Sequence, residues 1–315
     1  MKKCRTGYAV LTALFTLPAA HLAAQAPAAA PPVDAPATPP VAAPAISRVP
    51  ADAPPPHTPI AGPYKVEIVD DPSLPDFTIF RPQAAKGKTR ALPVVAWGNG
   101  GCADDNVNYR GFLSTVASHG FVIIAPGPLK PKSERGTTKG TVMQTALNWA
   151  ESNTAKKDSP WFNRFDLGRM ALMGYSCGGL QAIENAGDKR VKSVVIISSG
   201  TFPGAEPRSQ FSTATKADLE RLHTPVIYLI GGPVDVAFVN AEDDYARIKV
   251  PIFKGNINAG HLNTIRHPGG GWFAEASSKW LRWTLDGDKA AGKYFSGKAC
   301  TLCVNPVWKV ERKGL

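Results

Sequence analysis

Long apolar runs and basic clusters are missing from most of this sequence, and acidic residues are in the minority. After residue 60, no stretch approaches the roughly 18 uncharged apolar residues that a membrane-spanning helix needs. No basic run has aromatic residues between its charges, so nucleic-acid binding is not indicated. The 36 Lys and Arg residues outnumber the 25 Asp and Glu residues, and we interpret the formal net charge of +11 as a source of solubility.

The N-terminus has the order of a secretory signal peptide. Two lysines and an arginine within the first five residues precede the uncharged apolar segment Tyr8–Ala20, and small residues follow as far as Ala26. The apolar segment is short for a bilayer-spanning helix, although an uncleaved N-terminal anchor is the alternative. We therefore predict a signal peptide over residues 1–26, and a mature protein that is secreted or periplasmic and has no membrane span.

Alanine and proline dominate residues 27–60, and large apolar side chains are nearly absent there. Such a segment buries too little apolar surface to offset its chain entropy, so we predict a disordered linker. The remaining residues, 61–315, are about as many as one α/β domain commonly contains. We predict that they form a single domain, which we expect to be a monomer.

Short apolar runs alternate with helical patterns in this domain. A hairpin is predicted first, with strands at 64–69 and 77–80. The buried strands that follow are predicted at 93–97, 121–125, 170–173, 191–197, 225–230 and 250–253. The helices are predicted at 109–118, 141–152, 178–185, 240–247 and 272–285. This alternation predicts an α/β fold with a mostly parallel, doubly wound sheet and helices on both faces, in which ligands bind at the carboxyl ends of the strands.

The strongest motif is a G-x-S-x-G sequence, Gly174 to Gly178, between a predicted strand and a predicted helix. Its two glycines let neighbouring backbone pass close to Ser176, and the helix that starts after the serine directs free N–H groups at developing negative charge. A glycine-rich structural turn is the alternative, since the pentapeptide alone arises by chance. The strand-turn-helix context predicts Ser176 as a nucleophile.

A serine nucleophile needs a base, and the base needs a group that orients it. In folds with this nucleophile turn, the acid follows the serine along the chain and the histidine comes last. Asp235 follows the predicted strand 225–230, and His261 lies in the loop after the predicted strand 250–253. We therefore predict a catalytic triad of Ser176, Asp235 and His261.

The other histidines fit the role of the base less well. His21 and His57 lie in the predicted signal peptide and linker, and His119 and His223 precede strands at the wrong edge of the sheet. His267 is the real competitor, and a surface loop position is its alternative interpretation.

Two further carboxylates compete with Asp235 for the role of the acid. Asp243 and Asp244 fall on a predicted helix. On a helix, a solvated face is the better interpretation, so Asp235 is favoured.

Several stretches of the sequence carry a family resemblance. They are residues 117–124, 165–170 and 174–179, together with 231–235 and 260–261. With these motifs the chain resembles bacterial cutinases and polyester hydrolases of the dienelactone-hydrolase-like branch of the α/β-hydrolase family, from about residue 93 to residue 300. The resemblance implies an α/β-hydrolase fold and carboxylic-ester hydrolysis without a cofactor, and it places the family's triad on the same three residues.

The resemblance also implies an oxyanion hole and a substrate-binding surface. One N–H would come from Cys177, the residue after the nucleophile, and the second from the loop that contains Gly101 and Cys102. Polyester hydrolases have a substrate-gripping aromatic residue where this chain has Cys102, and Phe202 is a candidate substitute for their second aromatic residue. The predicted substrate-binding residues are Asn99, Tyr175 and Phe202.

Four cysteines remain after removal of the predicted signal peptide, which suggests two disulfides with three alternative pairings in an exported protein. Cys300 and Cys303 would close a local bridge. A zinc pair is the alternative, but no second pair of ligands follows at suitable spacing, so no metal site is predicted. Cys102 and Cys177 would then face each other across the oxyanion hole, either bridged or as two buried thiols.

Together these patterns predict a secreted serine carboxylic-ester hydrolase that acts on a small-molecule or polymeric ester through an acyl-enzyme. A serine peptidase of the same fold is one alternative, but such relatives usually carry an extra domain or lid for which this chain has little room. A non-catalytic binding module is the other alternative, and the complete triad argues against it.

Overall fold

The computed structural model describes residues 49–83, 90–130, 136–204 and 211–315. The predicted signal peptide and most of the predicted linker lie outside these ranges. No helix within them is long and apolar enough to cross a membrane.

One sheet organises the described residues. Its nine strands are β1 (Val66–Asp70), β2 (Phe77–Pro82), β3 (Leu92–Gly98), β4 (Val122–Pro126), β5 (Phe165–Tyr175), β6 (Val191–Ile197), β7 (Val226–Ile230), β8 (Ile252–Asn256) and β9 (Lys309–Lys313). They lie in the order β1-β2-β4-β3-β5-β6-β7-β8-β9. The six strands from β4 to β8 in this order run parallel, and the pairings β1–β2, β2–β4 and β8–β9 are antiparallel.

Helices cover both faces of the sheet. They are α1 (Arg110–Ser118), α2 (Thr141–Ala155), α3 (Cys177–Asn185), α4 (Phe238–Arg247), α5 (Gly260–Arg266), α6 (Gly271–Asp286), α7 (Lys289–Gly292) and α8 (Thr301–Val304). Apolar residues of α1 and α6 pack on one face, and those of α2, α3 and α4 pack on the other. The predicted doubly wound α/β architecture is therefore confirmed.

The central strands are buried on both faces. Along β3, Val94 and Ala96 join one apolar cluster, whereas Val95 and Trp97 join the other, and all four side chains are at most 1% exposed. Because neither face meets solvent, such strands have continuous apolar sequences rather than alternating ones. That is why they could be located from the sequence.

Strand β9 was not predicted. Its sequence, Lys-Val-Glu-Arg-Lys, has a single apolar residue and lies at the edge of the sheet beside β8. Charged residues are common on edge strands because they discourage pairing with other molecules, and they also remove the apolar pattern on which prediction depends.

The C-terminal end of the predicted linker packs against the domain. The imidazole of His57 stacks on Trp272, with ring centroids 3.7 Å apart, and its Nε2 lies 2.6 Å from Glu275 Oε2. The carbonyl oxygen of Ile60 lies 3.0 Å from His119 Nε2. These stacking and polar contacts thus pack residues 57 and 60, which lie in the predicted linker, against the domain.

Candidate active site

Ser176 lies at the sharp turn between β5 and α3. Its backbone has φ 53° and ψ −119°, a strained conformation for a residue with a Cβ. The flanking glycines permit the turn, because a Cβ on Gly174 would lie 2.0 Å from Gly178 O, and one on Gly178 would lie 2.0 Å from Gly98 O. The turn leaves Ser176 half-buried at the carboxyl edge of the sheet.

His261 and Asp235 form a hydrogen-bonded chain with this serine. His261 Nε2 lies 3.0 Å from Ser176 Oγ, and His261 Nδ1 lies 2.6 Å from Asp235 Oδ1. The serine and the histidine are 85 positions apart in the sequence, so the fold alone brings them together. In this arrangement the imidazole can accept the serine proton while the carboxylate holds the opposite ring nitrogen.

Asp235 is almost fully buried and lies among hydrogen-bond donors. The backbone N–H of Gly231 donates to its Oδ2, and that of Ala237 to its Oδ1, both at 2.9 Å. Burial opposes ionisation, but the hydrogen bond and charge of His261 and these two N–H groups outweigh it, so the pKa of the Asp235 carboxyl is lowered. An ionised Asp235 requires the proton on Nδ1 of His261, which leaves the Nε2 lone pair towards Ser176.

The loops that carry the acid and the base touch at Gly231. The N–H groups of Ala259 and Gly260 both donate to Gly231 O, at 3.1 and 2.8 Å. A Cβ on Gly231 would lie 2.2 Å from Gly260 O, so this approach requires glycine. His261 then follows in the first turn of α5, where the sequence predicted only a loop.

Tyr175 does not have the substrate-binding position that was predicted. Its side chain is 3% exposed, and its hydroxyl donates to the carbonyl oxygen of His261 at 2.6 Å. Burial raises the pKa of the Tyr175 phenol, so the hydroxyl keeps its proton. Tyr175 therefore supports the backbone of His261. An aromatic residue directly before the nucleophile was the only sequence signal for this role.

Asn99 also differs from the prediction, because it is fully buried. Its Oδ1 accepts a hydrogen bond from Trp97 Nε1 at 2.6 Å, and its Nδ2 donates to Ala103 O and Pro126 O, each at 2.9 Å. These buried hydrogen bonds hold the loop after β3 in place. The substrate-binding prediction for Asn99 is replaced by this structural role.

The four cysteines of the described residues form two disulfides. Cys102 is bonded to Cys177, with Cα atoms 5.2 Å apart, and Cys300 is bonded to Cys303. The first bridge joins the loop after β3 to the first residue of α3. The two expected oxyanion elements are therefore covalently linked.

The backbone N–H groups of the two bridged cysteines differ in whether they have a hydrogen-bond acceptor. That of Cys177 lies in the first turn of α3, where helix N–H groups have no intrahelical acceptor. That of Cys102 donates to Asn99 O at 3.1 Å. Gly101 is exposed and has φ 64°. Because the N–H of Cys102 already has an acceptor, the N–H of Gly101 is the better candidate for the second oxyanion donor.

The loop after β6 carries Phe202, which is half-buried against the apolar cluster on the α2 and α3 face. Its neighbour Thr201 donates its N–H to Asp244 Oδ2 at 2.8 Å. Asp244 is fully buried and also contacts Lys216 Nζ at 2.7 Å and the Tyr228 hydroxyl at 3.1 Å. The expected solvated position of Asp244 is therefore wrong, because this carboxylate holds the β6 loop in place.

A protein-family model described as PET hydrolase-like matches residues 47–204. This span is about half of the chain and contains Ser176 with its turn. The chain belongs to the PET hydrolase-like family. This PET hydrolase-like protein thus has the α/β-hydrolase fold and is an ester hydrolase, and the resemblance to polyester hydrolases is confirmed. The match ends before Asp235 and His261, so the family model does not bear on these two residues, and only the geometry of the site connects them to Ser176. No curated protein matches the chain.

Proposed function

We propose that this PET hydrolase-like protein is a secreted serine carboxylic-ester hydrolase that acts through Ser176, His261 and Asp235. The observation that carries the proposal is the hydrogen-bonded chain from Ser176 Oγ through the imidazole to the buried carboxylate. His261 takes the serine proton as Oγ attacks the acyl carbon, and then gives that proton to the leaving alcohol. Water, deprotonated by the same imidazole, next attacks the acyl-enzyme and releases the carboxylic acid.

The negative charge of the tetrahedral intermediate needs N–H donors. We assign these to Cys177, at the start of α3, and to Gly101 in the loop after β3. The disulfide between Cys102 and Cys177 supports this assignment, since it holds the two donor segments together before the substrate arrives.

The substrate is proposed to be a small-molecule or polymeric ester, with Phe202 on the wall of its site. Export is proposed from the N-terminal signal pattern. It is supported by the two disulfides, which persist in oxidising compartments outside the cytoplasm.

The test is the loss of the nucleophile. Ser176→Ala should lower kcat on a short p-nitrophenyl ester by about 10⁴ or more and abolish labelling by a fluorophosphonate probe. Ser296→Ala is the matched control, because Ser296 is a half-buried serine whose hydroxyl donates to Gly292 O of α7, and this variant should keep full activity. Retention of a tenth of the wild-type rate in Ser176→Ala contradicts the assignment.

The same assays distinguish the alternatives. Turnover of a peptide amide that is lost in Ser176→Ala would identify a serine peptidase. A wild-type protein that neither turns over the ester nor reacts with the fluorophosphonate would be a binding module.

A further inference from the structure

A cavity of about 560 Å³ opens at the edge of the sheet opposite Ser176. It is bordered by the first residues of three parallel strands: Leu92 and Pro93 of β3, Val122 of β4 and Phe165 of β5. Ser176 follows the other end of β5. Strand β5 runs beside β3 from the pair Phe165–Leu92 to the pair Gly174–Gly98, and at about 3.3 Å per residue of β3 this separates the cavity from the nucleophile by roughly 20 Å. The cavity is therefore distinct from the triad's site.

The walls of this cavity are mostly apolar. They include Pro82, Leu92, Pro93, Val122, Trp161 and Phe165. The rings of Trp161 and Phe165 stack on each other, with centroids 5.2 Å apart and planes at 21°, so this wall is held in place. The volume falls in the range of about 300–1,000 Å³ that is usual for small-molecule sites.

The charged residues of the cavity are mainly cationic. Within the described part of the chain, Arg81, Arg90 and Arg164 line it together with one carboxylate, Asp286. That carboxylate already pairs with Arg169, and also with Arg90 at 3.6 Å. Arg164 is half-buried and has no acidic partner within the described residues. Among the described residues, no carboxylate balances the guanidinium of Arg164 at this cavity.

Arg81 is fixed beside the aromatic wall. Its Nε and Nη2 lie 3.0 and 2.9 Å from Glu67 Oε2, and its guanidinium carbon lies 4.8 Å from the centroid of Trp161. A flat or aliphatic ligand body thus meets an ordered apolar surface with cationic groups at its border.

We propose that this cavity binds a small apolar molecule that carries one carboxylate. The carboxylate pairs with Arg164, whose planar guanidinium can donate two parallel hydrogen bonds. The body of the ligand packs on the apolar wall of the cavity, where Leu92 is half-buried and Tyr64 is exposed. A neutral ligand leaves Arg164 uncompensated, and an inorganic anion leaves the apolar walls uncovered, so both should bind more weakly. This inference does not depend on the reaction proposed for Ser176.

Calorimetric titration of the full-length Ser176→Ala protein tests the proposal without turnover. Benzoate and octanoate represent the aromatic and aliphatic forms of the ligand, benzamide is the neutral match, and inorganic phosphate is the anion without a body. At least one of the two carboxylates should bind, and benzamide and phosphate should bind at least about tenfold more weakly. Equal affinity for benzamide or phosphate, or no binding of either carboxylate, overturns the proposal.

Substitutions locate the site. Arg164→Gln should raise the Kd of the bound carboxylate about tenfold, and Arg164→Lys should have an intermediate effect because it keeps the charge but loses the planar pair of donors. Arg247→Gln is the matched control, since this exposed arginine lies on α4 and does not line the cavity. An unchanged Kd in Arg164→Gln overturns the assignment.

Two further measurements separate the cavity from the active site and do not require a variant to fold. Fluorophosphonate modification of wild-type protein should leave the carboxylate's Kd unchanged. In spectra of ¹⁵N-labelled protein, the ligand should shift the amides of Leu92 and Gly120 but not those of Gly178 and Gly260. Loss of binding after modification, or shifts confined to Gly178 and Gly260, would place the ligand at Ser176 and end the proposal.

Discussion

In the proposed triad, the charge of Asp235 controls the tautomer of His261. The Asp235 side chain is buried, and two backbone N–H groups and His261 favour its carboxylate over the neutral acid. Because the pKa of this carboxyl is lowered below its ordinary value of 3.8, Asp235 stays ionised above about pH 4. The imidazole therefore keeps one tautomer while it is neutral.

We predict that kcat/KM for a soluble ester falls towards acidic pH along one ionisation and not two, because Asp235 remains a carboxylate over the range of the measurement. The lowered pKa of Asp235 places its own protonation further to the acid side, so it does not add a second ionisation. A pH–rate profile from about pH 4.5 to 9 measures this. A profile that is flat over this range, or one with two ionisations on the acid limb, contradicts the prediction.

Tyr175 offers a second test at the level of a single atom. Tyr175→Phe removes the hydroxyl that donates to His261 O and leaves this buried carbonyl without that donor, a loss of about 1–3 kcal/mol. Because the affected group is the backbone of the base, we expect kcat to fall roughly tenfold while KM changes little.

The control for this substitution is Tyr294→Phe, which removes a phenol hydrogen bond to Glu275 away from the site. It should change Tm but not kcat. An unchanged kcat in Tyr175→Phe would show that the hydroxyl does not position His261.

At the scale of the elements, the loop after β3 and helix α3 function as one unit. Asn99 fixes the loop from below, and the Cys102–Cys177 bridge ties it to the helix. The N–H of Thr138 also donates to Cys102 O, at 2.7 Å. Three independent links thus hold the segment that supplies one proposed oxyanion donor.

The double variant Cys102→Ser with Cys177→Ser tests the bridge without creating a lone thiol. The cysteines are 75 positions apart, so loss of the bridge should cost about 4 kcal/mol of stability in the chain-entropy model. If the bridge holds the oxyanion donors, kcat should fall more than KM changes, by up to about 10²–10³.

Replacement of both Cys300 and Cys303 by serine is the control, because their bridge spans only 3 positions and should leave kcat unchanged. Kinetics and circular dichroism at a temperature where all variants are folded provide the comparison. Equal kcat in both double variants would exclude a role of the first bridge in catalysis.

Across the whole molecule, hydrogen bonds to charged side chains join elements that are distant in the sequence. Asp188 lies before β6, contacts Arg190 at 2.6 Å and accepts a hydrogen bond from Gln144 of α2 at 3.0 Å. The hydrogen bonds of Arg190 lower the pKa of the Asp188 carboxyl to about 2, against the opposing effect of burial. This carboxylate therefore connects α2 to the start of β6 in its charged form.

Asp188→Asn should lower Tm at neutral pH, and its difference from wild type should shrink as the pH falls. The folded-state pKa of about 2 lies below the unfolded value of about 3.9, so the folded protein binds fewer protons. The stability that the ionised Asp188 carboxylate contributes to the folded protein is complete above about pH 4 and is lost towards pH 2. Asp158→Asn is the control, because that exposed carboxylate pairs with the exposed Lys156 at 3.7 Å, and its loss should change Tm little. A Tm difference that is constant from pH 7 to pH 2.5 contradicts the prediction.

Much of the fold followed from local patterns. Strands β3 to β8 are apolar because both of their faces are buried, and the glycines around Ser176 are required by a turn of adjacent residues. Strand β9 and helix α5 could not be predicted in the same way. The first is a charged edge strand, and the second is a short helix that contains His261 and begins where the acid and base loops meet.

The sequence by itself determined the α/β architecture, the nucleophile turn and the chain order of Ser176, Asp235 and His261, because each depends on neighbouring residues or on the position of a loop after a strand. The tertiary structure alone decided how the polar side chains are used. Tyr175 and Asn99 were predicted to meet substrate, yet their partners lie on other segments and turn them inwards. A contact between distant segments leaves no periodic trace in either one, so the sequence could not reveal these roles or the cationic cavity at the far edge of the sheet.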